Sequence, residues 1–153
     1  MQVSFVYKDG EGFDSDDGKE TVKITYSQGG DPNRHSPTEL LLLAIGGCTS
    51  DDVLSILHKM RQDVKSYRCV VEGEKRSEHP RILKFANVSY IINGDVDPDK
   101  ARRAIHLSLK KYCSVSIMAE RGGVSVSYSL VLNGKPIDDR VSVEDIGELE
   151  ETK

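Results

Sequence analysis

SPTELLLLAIGGCTSDDVLSILHKMR, residues 36–61, carries a helix start signal in its first four positions. Ser36 fits the N-cap and Pro37 the first helical position. Glu39, three residues after Ser36, completes a capping box in which the Ser36 hydroxyl takes a backbone N–H of the first turn and the Glu39 carboxylate reaches back to the N–H of the cap. Leu40 to Ile45 are apolar without a break, which predicts a helix buried on all sides. Gly46 and Gly47 follow, each costing about 1 kcal/mol relative to alanine inside a helix. Such a pair implies that another backbone or a ligand comes close. Beyond Cys48 the pattern turns amphipathic, with Val53, Leu54, Ile56, Leu57 and Met60 apolar. From Pro37 to Arg61 the helix would be about 37 Å long, enough to run through the centre of a small fold.

The 153 residues suit one domain with a sizeable core, and the formal net charge is −4. Residues 134–153 hold seven acidic and three basic side chains, which accounts for the whole excess. The remainder is formally neutral, so no basic face is implied and a nucleic-acid partner is not expected. The opening MQVSFVYK lacks the features of a signal peptide, and the apolar run Leu40–Ile45 is too short to cross a bilayer. A cytoplasmic protein with no membrane partner is the expectation. Three cysteines, at 48, 69 and 113, are too few for a disulfide scaffold. The four histidines are scattered, and no metal site or bound cofactor is expected.

On either side of the central helix the alternation of apolar residues predicts strands. Gln2–Lys8 and Glu20–Tyr26 form an N-terminal hairpin across the turn-rich DGEGFDSDDG, and Gln28–His35, which contains Arg34, leads to the helix. Lys65–Arg76 and Ile82–Asn93 form a second pair, with a change of phase near Ala86–Asn87. Asp97-Pro98 opens a second helix whose inner positions are Ala101, Ala104, Ile105, Ser108, Leu109 and Tyr112. A short helix, Ser114–Arg121, closes at Gly122, and Val124–Asn133 is a last strand. The order β-β-α-β-β-α-α-β makes an α+β fold over residues 1–135, with residues 136–153 as an acidic C-terminal extension. So few strands do not cover so apolar a helix, and a homodimer completing the core is expected.

Cys48 and Cys113 each have two readings. A free cysteine is ordinarily a small buried hydrophobe. The Gly46-Gly47 lead-in clears space beside Cys48, but Asp51 and Asp52 lie close by and carry the wrong charge for a thiolate. A reactive Cys48 therefore needs a cation from another segment, and Arg34 is the nearest candidate before the helix. Cys113 stands at the start of a short helix, where the N-terminus favours a thiolate. Cys69 alternates within a strand and reads as core packing.

SPTELLLLAIGGCTSDDVLSIL followed at a distance by KKYCSVS resembles the OsmC/Ohr family of osmotically induced and organic-hydroperoxide-resistance proteins, closest to its YhfA-like branch. The resemblance implies an intertwined homodimer with a long central helix from each chain, and thiol peroxidase chemistry. It makes Cys48 the cysteine that attacks the peroxide and becomes a sulfenic acid. Cys113 is then the one that condenses with it to a disulfide. An external dithiol, of the lipoyl type or on a lipoylated protein, is implied as the reductant. Glu39 matches the family glutamate near the helix start, and Arg34 stands in for the family arginine. The substrate implied is an organic hydroperoxide. The alternative is a protein that binds a small apolar ligand or a thiol metabolite, its cysteines sensing redox state.

Overall fold

The computed structural model describes residues 1–27 and 31–149, and the chain divides into two compact units, Met1–Leu41 and Leu42–Lys153. The part of the 28–35 loop at positions 28–30 and the last four residues of the acidic extension lie outside the described residues.

The first unit is a three-stranded antiparallel sheet in the order β1 (Phe5–Lys8), β2 (Gly12–Ser15), β3 (Lys23–Thr25). The expected two-stranded hairpin is therefore wrong in one respect: a third strand is inserted between its halves, so that Phe13 pairs with Tyr7 on one side and Ile24 on the other. Phe13 also anchors an aromatic cluster, its ring 5.6 Å from Phe5 and 5.8 Å from Tyr7.

Helix α1 (Pro37–Lys59) begins with the expected box: Ser36 N–H donates to Glu39 at 2.6 Å and Glu39 N–H donates to the Ser36 hydroxyl at 3.1 Å. The second unit is built on a four-stranded sheet, β4 (Asp63–Lys75), β5 (Leu83–Asp95), β6 (Ser125–Leu132) and β7 (Lys135–Ser142), in that order. Only β5 and β6 run parallel, with Tyr90 opposite Leu130. Parallel neighbours require a crossover, here α2 (Pro98–Leu107), a π-helical turn (Ser108–Tyr112) and α3 (Ser114–Arg121). Asp97 caps α2 through the N–H groups of Asp99 and Lys100. The phase change in β5 falls at Lys84, where Lys75 pairs with Leu83 and Glu74 with Phe85, not at Ala86–Asn87. From there Ala86, Val88, Tyr90 and Ile92 point into the core without interruption.

Two expectations are corrected. Within one chain α1 is not buried on all sides: Ile45, Gly46, Thr49, Val53 and Leu57 are buried, while Leu43 is 57% and Leu54 36% exposed. By length and composition α1 could also cross a bilayer, but the strip Ile45–Thr49–Val53–Leu57 belongs to the core of the second unit. The extension expected after residue 135 is not separate from the domain either. Its first part is β7, paired with β6, and Val143 and Ile146 beyond it are core residues at 1% and 6% exposure.

Asp138 of β7 ties this end of the chain to α2. Arg102 donates to it twice, at 2.9 and 3.1 Å, and Tyr128, whose hydroxyl also meets His106 at 2.9 Å, donates at 2.8 Å. The Arg102 guanidinium holds the Asp138 carboxyl below its ordinary value, and burial pushes the His106 imidazole down. In both cases the unfolded chain binds the proton more readily than the folded one, so stability falls with falling pH. The His106 contribution is lost from about pH 6.5 downward and that of Asp138 below about pH 4. In urea titrations across this range Asp138→Asn is expected to reduce the lower loss, to which Glu39 also contributes, and leave the upper one in place.

Candidate functional site

Helix α1 lies close against β4 at Gly46. A Cβ there would come within 2.8 Å of Val71 Cγ2 and 3.5 Å of the Cys69 sulfur, so a close neighbour is the reason for this glycine. Gly46→Ala is expected to cost about 1–3 kcal/mol by overpacking, read as a shift in the urea midpoint. At Gly47 a Cβ would meet nothing within 4 Å among the described residues. The close approach expected for the pair therefore holds for one glycine within this chain.

Cys48 is half-buried on the flank of α1, and Cys113 is fully buried at the N-cap of α3. The two cysteines lie on neighbouring segments: Thr49, the residue after Cys48, is 2.7 Å from the Ser108 hydroxyl, and the Ser108 carbonyl accepts the Cys113 N–H, while the nearby Cys48 side chain adds to the raised pKa of Cys113. All three cysteines are free. The helix N-terminus acts on Cys113 as expected, since Ser116 N–H donates to its sulfur at 3.4 Å. The net effect is nevertheless the opposite of the expectation. Burial, the largest influence, pushes the Cys113 thiol up, and the Ser116 bonds only partly offset it. Burial thus holds the Cys113 thiol protonated.

The π-helical turn is what delivers Cys113 inward. Cys113 N–H donates at 2.8 Å to the carbonyl five residues back, on Ser108. The additional residue in that turn rotates Tyr112 outward, to 52% exposure, where uniform helical spacing puts it in the core. Cys113 takes the inner place.

Around the pair runs a chain of buried hydroxyls that sequence reasoning missed. Tyr90 of β5 meets Thr49 at 2.6 Å, Thr49 meets Ser108 at 2.7 Å, and Ser108 donates to Asp52 at 2.9 Å. Because the carboxylate end can only accept, the direction of the whole chain is set: Tyr90 donates to Thr49, Thr49 to Ser108, Ser108 to Asp52. Tyr90, Thr49 and Ser108 are all fully buried. Burial drives the Tyr90 hydroxyl well up, and Cys69 and Cys113 lie near enough to add to it. One signal was available: Thr49 is the polar residue on the strip Ile45–Thr49–Val53–Leu57, and Ser108 is a polar residue among the inner positions expected for the second helix.

Cys69 sits on the β4 side of α1, beside Tyr67, which donates to Ser50 at 2.6 Å. Burial pushes the Cys69 thiol up, so it is held neutral, in keeping with a packing role. The other two candidates lie in the first unit. The exposed Glu39 carboxyl is held below its ordinary value by the Ser36 N–H, that is, by its capping bond. Arg34 is 6% exposed and is engaged by carboxylates of its own unit: Asp14, Glu11 at 2.8 Å, and Asp31 at 3.8 Å from an Nε that has no hydrogen-bond partner among the described residues.

The sequence profile of the family described as OsmC-like protein matches residues 29–129. Protein YhfA of Escherichia coli K12 is 42% identical over 98 residues, which are 63% of this chain and 73% of that protein. A hypothetical protein of Aquifex aeolicus is 29% identical with a TM-score of 0.73, over 86% of this chain and 96% of that one. An organic hydroperoxide resistance protein of Legionella pneumophila shares the fold at 16% identity and a TM-score of 0.63, over 85% of this chain and 96% of that one.

Proposed function

Because the chain belongs to the OsmC-like protein family, we propose that it is a thiol-dependent peroxidase that reduces organic hydroperoxides through Cys48 and Cys113. The observation that carries this reading is the link between the two cysteine segments, in which Thr49 beside Cys48 bonds the Ser108 hydroxyl and Ser108 accepts the Cys113 N–H; the buried Cys113 thiol is held protonated there. The Cys48 thiolate attacks the hydroperoxide and the O–O bond breaks. The alkoxide takes up a proton and leaves as the alcohol, and Cys48 becomes a sulfenic acid. The Cys113 sulfur then attacks the Cys48 sulfur. The S–O bond breaks, and water leaves with the Cys113 proton. An external dithiol reduces the resulting disulfide to two thiols and is itself oxidised to a disulfide. Neighbours of the same fold are described as organic hydroperoxide resistance proteins, which supports that substrate class.

Arg34 and Glu39 enter this reading through the family resemblance alone. Each already has partners of its own, the acidic side chains of the first unit for Arg34 and the Ser36 cap for Glu39. The test is consumption of cumene hydroperoxide with dihydrolipoamide as reductant, compared with hydrogen peroxide. Turnover that needs the dithiol and favours the organic substrate supports the proposal, and absence of turnover with any dithiol overturns it.

The proposal includes a homodimer. Leu43, Gly47 and Leu54 fall within about 40° of one another around α1 and are exposed in a single chain. A second copy of α1 is the occupant that fits this apolar strip, because it would also give Gly47 a close neighbour. Gly47→Ala is expected to weaken the dimer in sedimentation equilibrium. A strip left in water would instead gain about 1 kcal/mol of helix stability from the same change.

A further inference from the structure

We infer that Thr49 and Ser108 are positioning residues that hold the Cys48 and Cys113 segments in register for disulfide closure. The inference deepens the peroxidase reading and rests on it for the step concerned.

Ser108 is bonded to both segments. Its carbonyl accepts the Cys113 N–H at 2.8 Å, the bond that defines the π-helical turn. Its hydroxyl reaches Thr49, the residue after Cys48, at 2.7 Å, and Asp52, one turn further along α1, at 2.9 Å. The path from Cys48 to Cys113 is therefore one covalent neighbour, one hydroxyl pair and one backbone hydrogen bond. Tyr90 holds the middle of it from β5, at 2.6 Å from Thr49. None of these hydroxyls has access to water, so removing one leaves its neighbour unpaired. The bonds are directional as well, so they fix the rotation of α1 against the π-helical turn, which apolar packing alone does not. A disulfide tolerates little error in that relation, and holding two reacting groups in place raises their effective concentration.

The test uses the full-length wild type with Thr49→Val, Thr49→Ser and Ser108→Ala. Each protein is equilibrated against reduced and oxidised dithiothreitol, free thiols are alkylated, and the Cys48–Cys113 disulfide is quantified by peptide mass. Thr49→Val and Ser108→Ala are expected to lower its formation constant about tenfold, while Thr49→Ser, which keeps the hydroxyl, stays within about twofold. After one equivalent of cumene hydroperoxide, closure should slow about tenfold in the same two variants while trapping of the Cys48 sulfenic acid by dimedone keeps its wild-type rate. If Thr49→Val does not fold, Ser108→Ala and Thr49→Ser decide. Unchanged constants and closure rates in folded variants overturn the inference and leave the peroxidase reading standing. A wild type that forms the disulfide in dithiothreitol but ignores hydroperoxide overturns that reading, and the formation constants still judge the positioning. A wild type that forms no such disulfide at any ratio overturns both.

Discussion

Replacing Cys48 by serine is expected to lower hydroperoxide turnover by about three orders of magnitude or more, as loss of a covalent nucleophile does. A hydroxyl in that place has the shape of the thiol but none of its reactivity toward the O–O bond. Cys48 is half-buried, so the change should barely alter the fold, and a thermal melt close to wild type is part of the expected result. Replacing Cys113 by serine should act differently. The residue caps α3 and accepts the Ser116 N–H, a place where serine is a favoured cap. Stability should hold or rise, the first oxidation should proceed, and the sulfenic acid of Cys48 should accumulate for want of an internal partner. Turnover then depends on attack by external thiol. Cys69→Ser should leave both steps unchanged, because that side chain lies on the β4 side of α1. Equal loss of activity at all three positions would indicate damage to packing and sink the assignment of roles.

A chain ended after Gly134 is expected not to fold, whereas one ended after Gly147 should melt like the full protein. The shorter chain loses β7 along with both Arg102–Asp138 bonds and the bond that Tyr128 donates to Asp138. It also loses Val143 and Ile146 from the core. Each of these apolar side chains contributes about 1.5–3 kcal/mol by burial, and the charged hydrogen bonds about 1.5–3 kcal/mol each. Their loss is comparable with the whole stability of a domain, about 5–15 kcal/mol. Circular dichroism and urea titration of the two truncations provide the comparison. A cooperative, near-wild-type transition in the shorter chain would restore the boundary at residue 135 that composition suggested.

That boundary shows why parts of the fold were hidden in the sequence. The helix ends could be read because caps are local chemistry: Ser36 with Glu39, Asp97 with Pro98 and Gly122 all stand where the structure uses them. β7 could not be read, because KPIDDRVS shows no alternation of apolar residues and its acidic side chains resemble a solvated tail. Asp138 makes sense only once Arg102 faces it. β2 was hidden for a similar reason, since GFDS has one large apolar residue in a run rich in turn formers and becomes a strand by lying between two others. Apolarity marked α1 as a helix to be covered, but not which of its sides this chain covers. For the sulfurs, helical spacing put Tyr112 inside, and the π-helical turn puts Cys113 there. The pairing proposed for them came from the family resemblance and not from periodicity.

The central claim is that the two sulfurs act as a pair, and counting thiols in the intact protein tests it most directly. Wild type treated with one equivalent of cumene hydroperoxide should lose two of its three thiols, with the missing pair mapped to a Cys48–Cys113 disulfide and restored by dihydrolipoamide. Loss of no thiol, or a disulfide that includes Cys69, would contradict it.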